Sequence, residues 1–310
     1  MGTFHADERA AQALAGRVLA DNPAIRPFMP DQHRTFFAGL SWLFLGAVDD
    51  TGAPIATVLT GEPGFVQSPD ATHLTIAAEP SPDDPAAAAL AGGAQVGLLG
   101  IDLATRRRNR ANGTLVAREG GGLTVAVEES FGNCPKYIQR REHWPVPRKS
   151  GATHRLAGLD AAARGVIEAA DTVFVASRAR DGIGGADISH RGGRPGFIRV
   201  EGETLTLPDF SGNRFFNTFG NLLGEPRASL LVPDFETGDL LVLQGETEID
   251  WSAPSAGGFA GAERIWRLHI RRGWRRPAAL PFGWSAPEPA AQIALTGSWA
   301  AVPQECRVEE

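Results

Sequence analysis

The sequence predicts a mainly β protein with flanking helices, built as two tandem small antiparallel barrels. Two observations carry this. The first is segmentation: short apolar and β-branched stretches, such as WLFLGAV from residue 42 and TVFVASR from residue 172, are cut by Gly, Pro, Asn and Asp. The second is repetition. WLFLGAVDDTGAPIATVLTGEPGFV (42–66) and TVFVASRARDGIGGADISHRGGRPGFI (172–198) each read as an apolar strand, a Gly-containing turn, a mixed strand and Pro-Gly-Phe. Further on, AQVGLLGIDLATRRRNRANGTL matches PRASLLVPDFETGDLLVLQGET, with Asp102 and Asp234, Thr105 and Thr237, and Gly113 and Gly245 each 132 positions apart. So long a period excludes a solenoid and indicates a duplicated unit.

Taken in order, residues 1–40 form an N-terminal helical segment, with helical composition over 7–20 where alanines blur the apolar stripe. The first repeat occupies 41–150 and the second 151–300, followed by a tail at 301–310. The join falls in the Pro-rich, polar HWPVPRKSGATHR, 143–155. Within the first repeat PAAAALAGG, 85–93, opens on Pro and closes on Gly as a short helix would. In the second, Asp160 is a plausible N-cap for a helix to Ala170 that buries Val166 and Ile167. ERIWRLHIRR, 263–272, reads as a strand with a basic outer face.

Composition bounds the function. Of 310 residues, 43% are hydrophobic and 21% charged, an ordinary globular balance, and no apolar run reaches the roughly 18 residues of a membrane span. The N-terminus lacks the apolar core of a signal peptide. Two cysteines, Cys134 and Cys306, are too few for a disulfide framework or a metal cluster and point to a reducing cytoplasm. The net charge of −6 disfavours a nucleic-acid binder, and no histidines pair at metal-ligand spacing, so no metal is expected.

The copies differ where a ligand site could survive. The second has PDFSGNRFFNTFGNLL where the first has the acidic, Ala-rich AAEPSPDDPAAAALAGG; one strand later the first has TRRRNRANG and the second TGDLLVLQG. Phosphate recognition needs N–H donors and fixed positive charge, which Ser211, Asn213 and Arg214 supply together with backbone freed by Gly212. On a strand, Arg106, Arg108 and Arg110 share one face and would repel unless an anion or carboxylates lay between them. In DISHRGG, Ser189 and His190 are adjacent and point to opposite faces, which excludes a Ser-His-Asp hydrolase. In NCPKYI, Cys134, Lys136 and the protein's one tyrosine, Tyr137, are the candidates for catalysis; a structural turn is the competing reading.

These stretches, with MPDQHRTFF, GFVQSPD and SFGNCPKYIQRRE, resemble the pyridoxamine 5′-phosphate oxidase-like FMN-binding split barrels, and in particular a bacterial subfamily with two such units in tandem. The resemblance runs from about residue 29 to residue 249. It implies FMN held between two barrel units. Its phosphate would lie on Ser211, Asn213 and Arg214, with Asn217 nearby. Ser189 and His190 would run along the flavin, and backbone near Pro208 and Asp209 would face it. RRNRANG, 107–113, is similar to the family's flavin-contacting strand, with Arg108 in place of Gln; the second copy departs there completely. One composite site, from the second copy's loop and the first copy's strand, is therefore expected, within a chain or across a homodimer.

The activity this implies is an FMN-dependent oxidoreductase passing electrons or hydride between flavin and a small, anionic organic acceptor or oxygen. The alternatives are an electron-relay module served by a partner or fused reductase, and a non-catalytic flavin or haem binder. The substrate segments of pyridoxamine 5′-phosphate oxidase itself are not matched, so that reaction is not expected.

Overall fold

A computed structural model describes residues 3–180, 185–252 and 259–299; the expected tail with Cys306 lies outside these. The chain opens with helices α1 (Ala6–Leu14) and α2 (Asp31–Ala38). Helix α1 stops short of residue 20 because Gly16, at φ +66°, turns the chain left-handed. Seven strands follow: β1 (Trp42–Val48), β2 (Pro54–Thr60), β3 (Val66–Asp70), β4 (His73–Ile76), β5 (Gln95–Asp102), β6 (Arg107–Glu119) and β7 (Gly122–Gly132). Two short strands, β8 (His143–Pro145) and β9 (His154–Leu156), and helix α3 (Ala161–Ala169) lead into the second half. There β10 (Thr172–Arg178), β11 (Ala186–Gly192), β12 (Arg199–Glu201) and β13 (Thr204–Phe210) precede helix α4 (Asn217–Gly224). Strands β14 (Arg227–Pro233), β15 (Leu240–Asp250), β16 (Ala262–Arg276) and β17 (Phe282–Trp284) complete the described chain. No described helix is long and apolar enough to cross a membrane.

The two large sheets are copies of one topology. The first runs β2-β1-β5-β6-β7-β4-β3 and the second β11-β10-β14-β15-β16-β13-β12, all antiparallel. Register repeats as well as order. Leu45 faces Thr57 as Val175 faces Ser189, and Leu99 faces Arg110 as Leu231 faces Val242. The fold is thus two tandem split β-barrels with flanking helices.

The units pack face to face about a pseudo-two-fold axis. Strand β2 lies on β14 while its counterpart β11 lies on β5, and β1 meets β11 as β10 meets β2. Such reciprocity marks an isologous interface, here closed within one chain. The equivalent rings of Phe44 and Phe174 stack at 3.5 Å, 16° from parallel. The approach is close enough that a Cβ on Gly97 would lie 2.6 Å from the Asp187 Cα, so only glycine fits. Buried side chains of the second unit, among them Phe174, Leu231, Leu240 and Val242, are continuous with the first unit's core.

The helix expected at Asp160 forms, with the Asp160 carboxylate accepting from Ala163 N at 2.7 Å; Ile167 is buried and Val166 only partly. Residues 85–93 make turns and no helix. Asp84 caps the first turn all the same, one oxygen taking Ala86 N at 2.8 Å and the other the Thr57 hydroxyl. The stretch 143–156 joins the second unit's edge, β8 pairing with β17 and β9 with β16.

Candidate cofactor site between the two units

The complementary stretches of the two copies meet. Arg108 and Arg110 on β6 of the first unit face Ser189 and His190 on β11, Asp209 on β13, and Gly212, Asn213, Arg214 and Asn217 after it. Together they line one cavity, of about 90 Å³. It lies where β6 and β11 come together across the interface.

Electrostatics decide what such a cavity can hold. Five arginines line it, Arg108, Arg110, Arg191, Arg214 and Arg264, against Asp209 and Glu263. Most are neutralised locally. Arg110 donates to Asp187 at 2.8 Å. Asp209 clamps two guanidiniums, Arg191 at 2.5 Å and Arg264 at 3.0 Å. Glu263 takes Arg264 at 2.9 Å and, more loosely, Arg214 at 3.7 Å. Arg108 is different. Its Nε donates to the Cys134 carbonyl at 2.8 Å and its Nη1 reaches His190 Nδ1 at 3.1 Å, and among the described residues it meets no carboxylate. Burial, then Arg110 and Arg191, pull its pKa down to about 10, which still leaves it cationic at neutral pH.

His190 follows from Arg108. A guanidinium has no acceptor, so Nδ1 accepts and the ring proton sits on Nε2. Burial and the flanking Arg108 and Arg191 hold the ring neutral, well below the ordinary histidine range. Among the described residues the protonated Nε2 is then a buried donor without a partner, and Arg110 Nε, Arg191 Nε and Asn133 Nδ2 are unpartnered too. A concentration of unanswered donors around an unpaired cation is the chemistry of an anion site.

The loop is shaped by its backbone. Arg214 and Phe216 both have φ +64°, and α4 starts only at Asn217, with no side-chain cap; Ser211 and Asn213 are therefore not helix caps. Ser211 Oγ accepts from Arg214 at 3.4 Å, and Asn213 Oδ1 takes Phe215 N at 3.1 Å. Asn217 is committed to Glu8 of α1 at 2.5 Å, while Gln12 donates to the Phe215 carbonyl, so α1 braces the loop from behind.

Several expected residues stand elsewhere. Arg106 lies outside β6, at φ +55°, and turns toward Ile138, Glu288 and Pro289, so the three alternating arginines do not share a face. Pro208 is buried in β13 opposite Ile265 and does not line the cavity. Ser189 bonds Thr218 at 2.8 Å, and no Ser–His pair forms. Cys134, Lys136 and Tyr137 do not line the cavity either. Cys134 contributes its carbonyl. Tyr137, at φ +64°, stacks on Phe210 at 5.0 Å and donates to the Ser211 carbonyl at 3.3 Å. Its own carbonyl lies so close to Gly192 that a Cβ there would be 2.0 Å away. This segment therefore supports Arg108 and the loop. Arg191 and Arg264 escaped the sequence reading. Only their place on strands beside the loop hinted at them, together with the parity that puts Arg264 on the side of Trp266 and Leu268.

The donor set fits a phosphate group, such as an FMN would present, in a cavity that is partly open to solvent.

No protein-family model matches the chain, and no curated protein sequence does. Solved structures match it in part. An FAD-binding protein of Mesorhizobium loti is 18% identical, with a TM-score of 0.29, over 41% of this chain and 99% of its own. A protein of the pyridoxinephosphate oxidase family from Clostridium acetobutylicum is 11% identical, with a TM-score of 0.23, over 43% and 94%. The haem storage protein HutZ of Vibrio cholerae is 10% identical, with a TM-score of 0.26, over 38% and 93%. Scores this low carry no weight in the argument; the repeated strand order and register describe the fold.

Proposed function

We propose that the cavity takes the phosphate of FMN and that the protein is an FMN-dependent oxidoreductase of the tandem split-barrel kind, acting on a small, anionic organic acceptor or on oxygen. The observation that carries this reading is Arg108, a half-buried cation of the first unit that is bonded to neutral His190 of the second and, among the described residues, faces no carboxylate. When bound, the flavin supplies the electron or hydride transfer itself. The protein's part is to bind and orient. Arg108 and the His190 Nε2–H would hold the anion, with Gly212 and Asn213 closing over it. Arg110, fixed by Asp187, adds positive charge at a set position, and Asp209 keeps Arg191 and Arg264 in place.

A second reading is favoured by the cavity's lining. Cys134, Lys136 and Tyr137, the candidates for catalysis, do not line it, which suits an electron relay reduced by a partner reductase.

FMN titrated into the purified protein, followed by flavin fluorescence, tests the site. One FMN per chain is expected, with Arg108→Leu and, separately, Arg214→Ala weakening it, the former by about 10–100-fold, as for loss of a charged hydrogen-bond donor. No flavin uptake, or unchanged affinity in Arg108→Leu, would sink the proposal. Bleaching of bound flavin by NAD(P)H alone supports the independent enzyme; bleaching only by dithionite or an added reductase supports the relay.

A further inference from the structure

Behind the Arg110–Asp187 pair lies a larger cavity, of about 450 Å³, with the opposite sign of charge. Glu8, Glu128, Glu129 and Asp187 face it, against Arg26 and His5. Most of its acceptors are answered. Asp187 Oδ1 receives Arg110 and Asn112, each at 2.8 Å, and Oδ2 receives Asn221 at 2.9 Å. Glu8 receives Asn217 and the His5 backbone. Two are not. Asn112 is 5% exposed, and its Nδ2 donates to Asp187 and, at 3.5 Å, to Glu129 Oε2. Those carboxylates fix the amide's orientation, because an amide oxygen turned toward them would be repelled. That leaves Asn112 Oδ1 as a buried acceptor with no donor. Glu129 Oε1 likewise has no donor among the described residues.

A carboxylate and an amide oxygen side by side call for N–H donors carrying positive charge. Among the described residues no three His, Cys, Asp or Glu side chains converge as metal ligands, so an organic cation fits better than a metal ion. Phe4, Ile25 and Pro27 add an apolar wall for the rest of the molecule. We infer that this cavity binds a small organic cation, a primary ammonium or amidinium on an apolar body, through Asn112 Oδ1 and Glu129. The site is independent of the flavin reading. It is also tuned to its ligand: burial first, then repulsion from Asp187, raises both Glu8 and Glu129 to about 7, and a bound cation would draw protons off them. Glu128, His5, Arg26 and the Asp187-paired Arg110 are the other charged or titratable groups facing these two.

Benzylammonium is a suitable probe, titrated calorimetrically into the full chain with benzyl alcohol as the uncharged control. Saturable binding of the ammonium and none of the alcohol is expected, with on the order of tenfold or greater loss in Glu129→Gln, an isosteric change. Glu79→Gln, a surface carboxylate paired with Arg118, serves as the charge control and should bind normally. Equal binding of the alcohol, an unaffected Glu129→Gln, or the same loss in Glu79→Gln overturns the inference, as does absence of saturable binding. Titration at pH 7 in two buffers of different ionisation enthalpy gives a readout free of any variant. Net proton release on binding supports the site, and none overturns it.

Discussion

The two faces of the interface start from the same scaffold and end with opposite contents. On one, β6 offers Arg108 and Arg110 and β11 offers Ser189 and His190. On the other, the positions in the same register are Leu240 and Val242 on β15, and Thr57 and Val58 on β2. The second face has an anion of its own. Asp84 accepts from Thr57 at 2.5 Å and pairs with Arg276 at 2.7 Å, with its side chain fully buried. Arg276 also donates to Thr57 at 3.2 Å. Burial raises the pKa of Asp84, and Arg276 is the largest influence opposing that. So one face keeps a cation, Arg108, that meets no carboxylate among the described residues, and the other has Leu and Val at the positions of Arg108 and Arg110 and a carboxylate brought in from its loop. Duplication made two equivalent positions, and the side chains now equip one for an external anion and fill the other from within.

Variants that separate these roles break or sharpen the contrast. Asp84→Asn has the largest expected effect on stability, because it strands Arg276 as a buried unpaired charge. A loss of about 3–5 kcal/mol in urea unfolding is expected, with FMN affinity unchanged. If flavin binding fell with it, the two faces would not be independent. Arg108→Leu, which installs the residue of the other face, should do the reverse: it loses flavin but keeps wild-type stability within about 1 kcal/mol, since the desolvation cost of a cation with no counter-charge offsets its hydrogen bonds to Cys134 and His190. A marked drop in its denaturation midpoint would mean that Arg108 is structural.

The acidic cavity gives a smaller, pH-dependent effect. Glu129 holds its proton to about 7 in the folded state against an ordinary carboxyl value of 4.5, so the folded chain binds more protons between those values and its stability falls as pH rises through them. Glu129→Gln mimics the protonated form. Wild type and variant should therefore unfold alike near pH 4.5, with the variant increasingly favoured toward pH 8; parallel profiles would disprove the shift. Smallest is Tyr137→Phe, which removes one 3.3 Å hydrogen bond to the Ser211 carbonyl and keeps the stack on Phe210. About 0.5–1.5 kcal/mol is expected, with slightly weaker flavin binding from a looser loop.

Much of this contrast was legible in the chain. The constant spacing of Asp102/Asp234 and Gly113/Gly245 became strand register, and the exchange of RRRNR against GDLLV became the difference between the two faces. Other features were not. Arg106 follows the alternation of a strand on paper, but a left-handed backbone takes it out. The alanines of 85–93 suit a helix, yet the segment stays in turns even with Asp84 accepting from Ala86 N. Arg264 shares the buried side of β16 with Trp266 and Leu268, and nothing local shows that Asp209, on the neighbouring strand, answers its charge there.

The sequence by itself determined the duplication, the β architecture and which copy kept which half of the cationic set, because these depend on local patterning and on differences between aligned segments. Only the tertiary structure decided which charges are left without a counterpart. Whether Arg108 lacks a carboxylate, whether Asp84 neutralises Arg276, and whether Asn112 has an unanswered oxygen depend on side chains from strands and loops far apart in sequence that packing brings within a few ångströms. Hydrogen bonds and ion pairs act only at that range, so a list of residue types cannot count them.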